Sequence, residues 1–441
     1  MKNQIKIEKT IKPFSKSITV SGDKSISIRC ILFASIAIGK SKIFNLLHSE
    51  DVISALKIIK KIGVNYKKRK NYLEINGVGI NGFSFKNNTL INAGNSGTLA
   101  RCILGLCSAI NKNLILTGDV SLSKRDFSRV IKPLSLFGVN IKNNKDKLPI
   151  KFSGSNLLRP INYIENKGSA QIKTCIILSA INTRGITKIK AKTSRNHTEL
   201  LLNHLDYPIK VIKKKNYDLI SIVGLKQFNS FSYKIPGDIS SASFFIVLTL
   251  LSKNSKLMIK DINVNSSRIG ILKILNKMNA KIKIINKRKY KGEQIGDIKI
   301  MSRKKFKSIK CPQNLNSSAI DEFLLIFLIA AKAKGISSFK NLGELNQKES
   351  PRLDIAIHFL KMIGIKVIRN QNDIKIFGNP NLILNNEYRI KNYLKDHRIF
   401  MMSVVAALTL GGKWKVDDKD SVKTSFPDFL KISKYLGAKI N

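Results

Sequence analysis

The chain alternates between short polar clusters and long apolar runs, and this pattern predicts six apolar helices. The first cluster is the stretch 22–29, Gly-Asp-Lys-Ser-Ile-Ser-Ile-Arg, and an apolar run from Cys30 to Ile38 follows it and ends at Gly39. Five further clusters open apolar helices in the same way, at residues 94–101, 168–173, 237–241, 319–323 and 395–398. Successive clusters lie roughly 69 to 83 residues apart, a near-constant interval that is typical of duplicated units.

A second series of helices, amphipathic in pattern, is predicted out of phase with the first. Its members cover residues 55–63, 130–138, 200–207, 271–279, 355–364 and 429–437. Most of them lead directly into β-branched stretches such as 139–141 and 365–368, which are typical of strands. The pattern therefore predicts an α/β fold of six similar units, each with two helices and strands between them.

The length of the chain divides the six units between two domains. At 441 residues the chain is too long for one hydrophobic core, and two domains of about 200 residues each are expected. The sequence Ile235-Pro236-Gly237 suits a crossover between domains. We predict one domain at residues 22–236 and a second at residues 237–441, with residues 1–21 paired to the second.

Composition favours a cytoplasmic protein with buried, reduced cysteines. Hydrophobic residues make up 43% of the chain, yet no apolar run approaches the ~18 residues needed to cross a bilayer. The N-terminal residues contain no apolar segment of a secretion signal. None of the five cysteines belongs to a Cys-x-x-Cys pair, and four lie within apolar helical runs. Neither a disulfide nor a metal site is expected.

The net charge of +51 raises the question of nucleic-acid binding. Clustered lysines and arginines with interleaved aromatic residues are typical of phosphate-backbone binding. Here the lysines are spread along the chain and accompany isoleucine and asparagine, as at residues 212–217 and 281–291. We interpret them as a drift towards residues with A- and T-rich codons, whose functional effect is long-range attraction of small anions. A basic RNA-binding role is kept as an alternative.

The first polar cluster suits anion binding at a helix N-terminus. Unpaired backbone N–H groups and the positive end of the helix dipole point outward there. Lys24 and Arg29 add full charges, and Ser25 adds a hydroxyl. The cluster is not a nucleotide-binding P-loop, because that motif requires glycines where Asp23 and Ile18 stand.

Two further clusters in the first half offer hydroxyl, amide and cationic groups. They contribute Asn95, Gly97, Thr98 and Arg101 at the second helix start, and Ser169, Gln171 and Lys173 at the third. A predicted strand at 114–118 leads into a loop at 119–126 that carries Arg125, and we expect Arg125 to reach the same pocket. The strand at 186–191 is followed by Thr-Ser-Arg-Asn-His at 193–197.

The second half contributes carboxylates. Asp321 and Glu322 precede the apolar run 323–331, and Glu349 precedes another helix. Carboxylates at helix starts are ordinarily N-caps, and Glu322 is interpreted as one. Asp321 and Glu349 are expected among the cations Lys348, Arg352, His397 and Arg398. Carboxylates held among cations stay ionised and serve as acid or base.

Nine motifs in one order connect these clusters to a known family. They are Gly-Asp-Lys-Ser-Ile-Ser-x-Arg at 22–29, Gly-Asn-x-Gly-Thr-x-x-Arg at 94–101, Leu-Thr-Gly-Asp-x-Ser-Leu-x-x-Arg at 116–125, Ser-Ala-Gln-x-Lys at 169–173, Ser-Arg-x-His-Thr-Glu at 194–199, Ile-Asp-Glu at 320–322, Lys-Glu-Ser-x-Arg at 348–352, Asp-His-Arg at 396–398 and Thr-Ser-Phe-Pro at 424–427. Together they resemble the 5-enolpyruvylshikimate-3-phosphate synthase family of enolpyruvyl transferases over essentially the full length.

The resemblance implies a fold and a reaction. The fold is an α/β, two-domain inside-out barrel, in which each domain has three βαβαββ-type repeats and closes on the substrates. The reaction transfers the enolpyruvyl group of phosphoenolpyruvate to the 5-hydroxyl of shikimate 3-phosphate and releases phosphate, on the route to chorismate and aromatic amino acids. No cofactor is implied, a monomer without nucleic-acid or membrane partners is expected, and room at Gly97 implies sensitivity to glyphosate.

The resemblance also implies residue roles. Shikimate 3-phosphate would be bound by Lys24, Ser25, Arg29, Ser169, Ala170, Gln171, Ser194, Arg195, Asp321 and Lys348. Phosphoenolpyruvate would be bound by Lys24, Asn95, Gly97, Thr98, Arg125, Gln171, Arg352, Arg398 and Lys423. Asp321, Glu349 and Lys24 would be catalytic, with Asp321 taking the proton of the attacking hydroxyl and Glu349 handling the methylene proton. His397 and Arg101 would have supporting roles.

Some positions depart from the commoner family pattern, and one sister enzyme shares the fold. The departures are Ile28, Cys102, Asp126, Asn346 and Pro351, and Lys423 stands one residue further from the Phe-Pro pair than in some relatives. The sister enzyme, which acts on UDP-N-acetylglucosamine, would have a reactive cysteine in the loop 119–125 and an asparagine where Ser25 stands. Both are absent from this sequence.

Overall fold

The computed structural model describes residues 3–441, which divide into two compact units. Unit I comprises Gly22–Ile235 and Tyr290–Glu293. Unit II comprises residues 3–21, Pro236–Lys289 and Gln294–Asn441. Each unit has its own cluster of buried apolar side chains. The chain passes from unit II to unit I after Ser21 and returns after Ile235, next to Pro236 and Gly237.

Fourteen α-helices lie within the described residues. They are α1 (Lys24–Ile36), α2 (Glu50–Lys61), α3 (Gly97–Leu106), α4 (Val120–Ser123), α5 (Ser128–Phe137), α6 (Ala170–Ile181), α7 (His197–His204), α8 (Ile239–Leu251), α9 (Gly270–Lys277), α10 (Asn316–Ala319), α11 (Phe323–Ala331), α12 (Arg352–Met362), α13 (His397–Leu410) and α14 (Phe429–Leu436). Three 3₁₀ helices cover Gln313–Leu315, Gly343–Gln347 and Lys419–Thr424. All twelve helices of the two predicted series are present.

Twenty-three strands complete the described part of the chain. They are β1 (Gln4–Ile7), β2 (Ser15–Ile18), β3 (Ile38–Phe44), β4 (Asn65–Lys68), β5 (Tyr72–Val78), β6 (Thr89–Asn92), β7 (Asn113–Thr117), β8 (Asn140–Asn144), β9 (Lys147–Ser153), β10 (Asn162–Glu165), β11 (Ile186–Lys192), β12 (Ile209–Lys213), β13 (Tyr217–Val223), β14 (Ser232–Lys234), β15 (Lys256–Asn263), β16 (Lys281–Tyr290), β17 (Glu293–Met301), β18 (Phe306–Lys307), β19 (Ala333–Phe339), β20 (Val367–Asn370), β21 (Asp373–Gly378), β22 (Leu384–Ile390) and β23 (Gly411–Asp417).

The strands form six small sheets of one plan. In the sheet β6-β7-β9-β8, the parallel strands β6 and β7 are joined by α3, and β9 pairs antiparallel with both β7 and β8. The sheets β10-β11-β13-β12 and β18-β19-β21-β20 repeat this order. Each of these units therefore has the chain order βαβαββ, with a helix making the parallel connection that a hairpin cannot make.

Two sheets obtain their first strand from a distant part of the chain. β2 directly precedes α1, yet it pairs in parallel with β15 of unit II. β14 directly precedes α8, yet it pairs in parallel with β3 of unit I. The exchange follows from the two crossovers, because each crossover lies between a first strand and its following helix.

The sixth sheet is completed by the N-terminal strand. β1 pairs antiparallel with β23, which pairs in parallel with β22. The backbone N–H groups of Lys6 and Asn441 each donate to the other residue's carbonyl, at 2.8 and 3.1 Å. The N-terminal segment thus occupies the position of the fourth repeat strand, and residues from the C-terminus pair beside it.

The first helix series is buried on all sides, as its uniform apolarity requires. Every residue of α11 is buried, and α8 is buried from Ile239 to Leu250. Across residues 3–441, no single helix is long and apolar enough to span a membrane. The segments Gln313–Ala319 and Phe323–Ala331 pass by combined length and composition, but they are bent by 119°.

Two local predictions were wrong. The helix predicted to extend to Ile38 and end at Gly39 instead ends at Ile36, and residues from Ile38 onward form β3. Gly39 has φ of 97°, a left-handed conformation that favours glycine within that strand. The predicted loop 119–126 contains the short helix α4, which Asp119 caps by accepting from the Leu122 N–H at 2.7 Å.

Candidate active site

The start of α1 presents a lysine held by a buried carboxylate. Lys24 Nζ lies 3.0 Å from Asp51 Oδ2, and the side chain of Lys24 is 22% exposed. Asp23 caps the helix by accepting from the Ile26 N–H at 2.9 Å. The cap keeps Lys24 on the first turn, where its charge adds to the positive end of the helix dipole.

Arg29, one turn further along α1, is buried among hydroxyl groups. Its Nε donates to Thr198 Oγ1 at 2.8 Å, and one Nη donates to Thr174 Oγ1 at 2.9 Å. The other Nη donates to the hydroxyl of Ser25 at 2.6 Å and to its carbonyl at 3.0 Å. Burial lowers the pKa of Arg29 below its ordinary value. Arg29 therefore connects the starts of α1, α6 and α7.

Arg101 connects the second and third helix starts. Its guanidinium donates to Gln171 Oε1 at 2.9 Å and to the Gly97 carbonyl at 3.2 Å. Gln171 Nε2 in turn donates to Thr98 Oγ1 at 3.0 Å. Burial, aided by the charge of Arg125, lowers the pKa of Arg101 to about 10. These contacts join two segments that are predicted to bind substrate, and the supporting role of Arg101 stays a prediction.

Arg125 lies close to the second helix start, as the sequence predicted. Its guanidinium donates to Asn95 Oδ1 at 2.7 Å, and Asn95 Nδ2 donates to Asp119 Oδ2 at 2.5 Å. A Cβ atom at Gly97 would lie 2.8 Å from a guanidinium nitrogen of Arg101 and 3.0 Å from one of Arg125. Glycine is therefore the residue that leaves both cations undisturbed.

The third helix start is capped by Ser169, whose Oγ accepts from the Ile172 N–H at 3.4 Å. Ala170 is the first residue of α6. Ser194 and Arg195 lie in the turn between β11 and α7, and Ser194 is buried. The lysine of the fourth motif, Lys173, and the glutamate of the fifth, Glu199, form a buried ion pair at 2.6 Å. Sequence reasoning assigned no role to this pair.

In unit II, Arg352 is surrounded by carboxylates. Its Nε lies 2.8 Å from Asp396 Oδ2, one Nη contacts Glu349 Oε2, and the other lies 3.6 Å from Asp321 Oδ1. Lys348 Nζ lies 3.8 Å from the same Asp321 oxygen. Burial alone would lower the pKa of Arg352, but these carboxylates raise it above its ordinary value. The structure thus brings together the predicted acids and cations.

Asp396 is the residue at this site whose role sequence reasoning missed. It caps α13 by accepting from the Arg398 N–H at 2.9 Å, and it also accepts from Ser350 Oγ at 2.8 Å. Burial works to raise its pKa, yet Arg352 holds the pKa of Asp396 below its ordinary value. The signal was present in the Asp-His-Arg motif, whose aspartate directly precedes an apolar helix.

Glu322 occupies the N-cap position of α11, but its side chain makes no capping hydrogen bond. Its fully buried carboxylate accepts from Ser240 Oγ at 2.5 Å and lies 3.9 Å from an Nη of Arg398. The predicted capping role of Glu322 was therefore wrong. Arg398 also donates to the backbone carbonyl of Asp321 at 2.9 Å, which holds its guanidinium beside the predicted base.

Two further predicted residues lie on α13 and on the 3₁₀ helix that packs against it. His397 is buried in the first turn of α13. Lys423 lies in the 3₁₀ helix Lys419–Thr424, where its exposed side chain pairs with Asp420 at 2.7 Å. The role predicted for Lys423 stays a prediction.

The departures near Glu349 are accommodated locally. Asn346 Oδ1 accepts from the Leu353 N–H at 2.9 Å, and its Nδ2 donates to Asp354 Oδ1 at 3.0 Å. Asn346 therefore caps α12 from outside the helix. Pro351 precedes the helix with φ of −71°, a value that suits proline. Among residues 3–441, no group of three or more His, Cys, Asp or Glu side chains is arranged to hold a metal ion.

Solved enolpyruvyl transferases share the fold of this chain. The solved enolpyruvyl transferase NikO from Streptomyces tendae, 13% identical, shares this fold with a TM-score of 0.76 over 100% of this chain and 99% of its own. EPSP synthase from Acinetobacter baumannii is closer, with 33% identity, a TM-score of 0.86 and 99% coverage of both chains. The predicted fold class is thereby confirmed.

Sequence comparison identifies the particular family. The profile described as EPSP synthase (3-phosphoshikimate 1-carboxyvinyltransferase) matches residues 8–432. The chain is 38% identical to the 3-phosphoshikimate 1-carboxyvinyltransferase of Ruthia magnifica subsp. Calyptogena magnifica over 99% of this chain and 98% of the relative. It is 36% identical to the 3-phosphoshikimate 1-carboxyvinyltransferase of Petrotoga mobilis over 97% of this chain and 98% of the relative. The chain belongs to the EPSP synthase family, and the predicted resemblance is confirmed.

Proposed function

We propose that this chain is a 3-phosphoshikimate 1-carboxyvinyltransferase. It transfers the enolpyruvyl group of phosphoenolpyruvate to the 5-hydroxyl of shikimate 3-phosphate and releases phosphate. The observation that carries the proposal is the cluster around Arg352, where Asp321 and Glu349 meet one buried guanidinium and Lys348 lies 3.8 Å from Asp321. Family membership supports the same reaction, because the curated relatives carry this enzyme name.

The helix starts of unit I bind shikimate 3-phosphate in this proposal. Lys24, Ser169 and Gln171 present an ammonium, a hydroxyl and an amide at the N-terminal ends of α1 and α6. Ser194 and Arg195 add a hydroxyl and a guanidinium from the turn before α7. A phosphate and a carboxylate suit such sites, because helix N-termini and cations stabilise anions together. Ser25, Arg29 and Ala170 complete the proposed set.

Three guanidinium groups bind phosphoenolpyruvate in this proposal. Arg125 lies beside Asn95 in unit I, whereas Arg352 and Arg398 flank the acids of unit II. The planar fork of a guanidinium matches the oxygen spacing of both carboxylate and phosphate. Gly97 keeps space beside Arg125. The remaining proposed contacts with phosphoenolpyruvate come from Lys24, Thr98, Gln171 and Lys423. Lys348 and Asp321 are assigned to shikimate 3-phosphate.

Two carboxylates divide the proton transfers. Asp321 removes the proton of the 5-hydroxyl as its oxygen attacks the central carbon of phosphoenolpyruvate. Glu349 delivers a proton to the methylene carbon, which gives a tetrahedral ketal phosphate. In the second step Glu349 removes a proton from the new methyl group, and phosphate leaves. Positive charge that develops at carbon is offset by both carboxylates, and Lys24 and the arginines stabilise the departing phosphate.

The reaction requires no cofactor from outside this chain in our proposal. Proton transfer and charge stabilisation account for each step, and side chains supply both. We further propose that the protein acts as a cytoplasmic monomer that binds neither nucleic acid nor membrane, and that glyphosate inhibits it in competition with phosphoenolpyruvate.

A phosphate-release assay tests the proposed function. Release is expected only when phosphoenolpyruvate and shikimate 3-phosphate are both present. UDP-N-acetylglucosamine in place of shikimate 3-phosphate should give none, and strong salt-dependent RNA binding without phosphate release would contradict the proposal. Asp321→Ala and Glu349→Ala should lose kcat far more than substrate affinity. Asp354→Ala, at an exposed carboxylate on α12, is the matched control and should retain activity.

A further inference from the structure

The first turn of α7 is held by three separate buried contacts. Its residues are His197, Thr198 and Glu199, and each is buried. The turn directly follows Ser194 and Arg195, which are proposed to bind shikimate 3-phosphate. Each of the three side chains contacts a partner from a different part of the chain, so the turn is fixed from three directions.

The first contact joins His197 to Glu293. The His197 Nδ1 lies 2.6 Å from Glu293 Oε1, and the two side chains are 1% and 3% exposed. Glu293 ends the segment Tyr290–Glu293, which belongs to unit I. A hydrogen bond holds that segment in unit I, because the Lys234 N–H donates to the Tyr290 hydroxyl at 3.0 Å. Gly292 lies so close to α7 that a Cβ there would be 2.6 Å from the Leu200 carbonyl oxygen.

The second contact joins Thr198 to Arg29. Thr198 Oγ1 accepts from Arg29 Nε at 2.8 Å and lies 2.7 Å from Thr174 Oγ1, which accepts from the same guanidinium. The pair of threonines therefore fixes the direction of Arg29. Because Arg29 also donates to Ser25, this contact ties the first turn of α7 to the starts of α1 and α6.

The third contact joins Glu199 to Lys173. The two charged groups are 2.6 Å apart, and their side chains are 3% and 0% exposed. Lys173 lies on α6, four residues after Ser169 and two after Gln171. Separation of this buried pair is costly, because each partner would then be left as a charge without compensation in a dry interior. The pair therefore sets the spacing between the first turns of α6 and α7.

We propose that the three residues of this turn are positioning residues for shikimate 3-phosphate. Through their buried partners they hold Ser194 and Arg195 at the place where the substrate is bound. The inference rests on the proposed function, and it adds Glu293, Lys173 and Glu199 to the residues on which that function depends. A misplacement of about one ångström at a binding group can cost up to roughly a hundredfold in rate, so rigid support of this turn has a measurable consequence.

Three variants test one contact each. Glu293→Gln removes the charge beside His197, and Thr198→Val removes one hydroxyl at nearly constant volume. The double variant Lys173→Met/Glu199→Gln removes both buried charges at once, so that neither is left unpaired. Dissociation constants for shikimate 3-phosphate are measured by calorimetry, and KM for phosphoenolpyruvate is measured at saturating shikimate 3-phosphate. Melting temperatures are recorded for every variant.

We expect each variant to bind shikimate 3-phosphate about ten- to a hundredfold more weakly. The KM for phosphoenolpyruvate should stay close to the wild-type value. Thr198→Ser, which restores the hydroxyl, should regain most of the affinity lost in Thr198→Val. Two matched controls should bind normally: Lys291→Gln, two residues before Glu293, whose ammonium makes an exposed hydrogen bond to the Ser232 carbonyl, and Lys188→Met, at an exposed position of β11.

The outcomes separate this inference from the proposed function. If the wild-type enzyme releases no phosphate, the proposed function fails. If it is active and the variants lose melting temperature but keep wild-type affinity for shikimate 3-phosphate, the residues stabilise the fold only and the positioning role is refuted. Equal weakening of both substrates, or no rescue by Thr198→Ser, would also refute it.

Discussion

Replacement of Asp396 by asparagine is expected to destabilise unit II strongly. The Asp396 carboxylate is fully buried and accepts two hydrogen bonds from Arg352, at 2.8 and 3.2 Å. It also accepts from Ser350 Oγ and from the N–H of Arg398. Asparagine keeps the size of the side chain, but it loses the negative charge and one acceptor oxygen. The substitution therefore leaves the buried guanidinium of Arg352 short of a partner.

The magnitude follows from what Arg352 retains. Removal of one partner from a buried ion pair typically costs about 3–5 kcal/mol. Arg352 keeps its contact with Glu349, and Asp321 remains 3.6 Å from it. We therefore expect a loss near the lower limit, about 3 kcal/mol. For a unit of this size each kilocalorie lowers the melting temperature by roughly 2–4 °C, which predicts a fall of roughly 6–12 °C.

Tryptophan fluorescence provides the assay. Trp414 is the single tryptophan of the chain, and it is buried in β23 of unit II. Its ring stacks on Tyr388 at 4.6 Å between centroids, so unfolding of unit II will change its emission. The free energy of unfolding is measured in urea for the wild type and the variant. Asp354→Asn is the control, because its ion pair with Arg369 is exposed and worth at most about 1 kcal/mol.

The reasoning would be refuted if Asp396→Asn lowered the free energy of unfolding no more than Asp354→Asn does. Such a result would mean that Glu349 and Asp321 compensate the buried guanidinium completely. A large loss with the wild-type slope of free energy against urea would support it, since an unchanged slope means that the same surface is exposed on unfolding.

Three further outcomes follow from the structure. The folded-state pKa of Asp396 lies below its unfolded value of about 3.9. The stabilising effect of its carboxylate is therefore present above that pH and is lost as pH falls through the folded pKa. The stability difference between wild type and Asp396→Asn should shrink below about pH 4. Gly97→Ala places a methyl group 2.8 Å from a guanidinium nitrogen of Arg101 and 3.0 Å from one of Arg125. The substitution should raise KM for phosphoenolpyruvate several-fold. A wild-type KM would count against the role of Gly97 in phosphoenolpyruvate binding. All five cysteines are buried, and burial raises the pKa of Cys107 to about 12. A thiol reagent at pH 8 should therefore label the cysteines only after unfolding. Rapid labelling of the native protein would show that the core opens.

Much of the local structure follows from neighbouring residues along the chain. Apolar runs predicted the first helix series and an amphipathic pattern predicted the second, because hydrophobic period and helix-start chemistry are local signals. Asp23, Ser96, Ser169 and Asp396 each cap the helix that the sequence places after them. Errors occurred where tertiary pairing overrides local pattern: β3 begins at Ile38 because its strand partners continue that far.

The residues of the candidate site also divide into those that the sequence predicted and those that it did not. The motifs identified Asp321, Glu349 and Arg352, and the structure places them together. They did not identify Glu293, since a glutamate in a lysine-rich stretch carries no signal until His197 is seen 2.6 Å away. For Glu322, a local rule predicted that the side chain caps a helix. In the structure its carboxylate instead accepts a hydrogen bond from the buried hydroxyl of Ser240.

By itself, the sequence determined the repeated order of helices and strands, the polar residues at helix starts and the family to which the chain belongs. Only the tertiary structure decided which strand completes which sheet, so that β2 pairs with β15 and β14 with β3. It also decided which carboxylate neutralises which buried cation. The physical reason is that both choices depend on residues far apart in the chain, whose energies of burial and pairing exist only once the chain has folded.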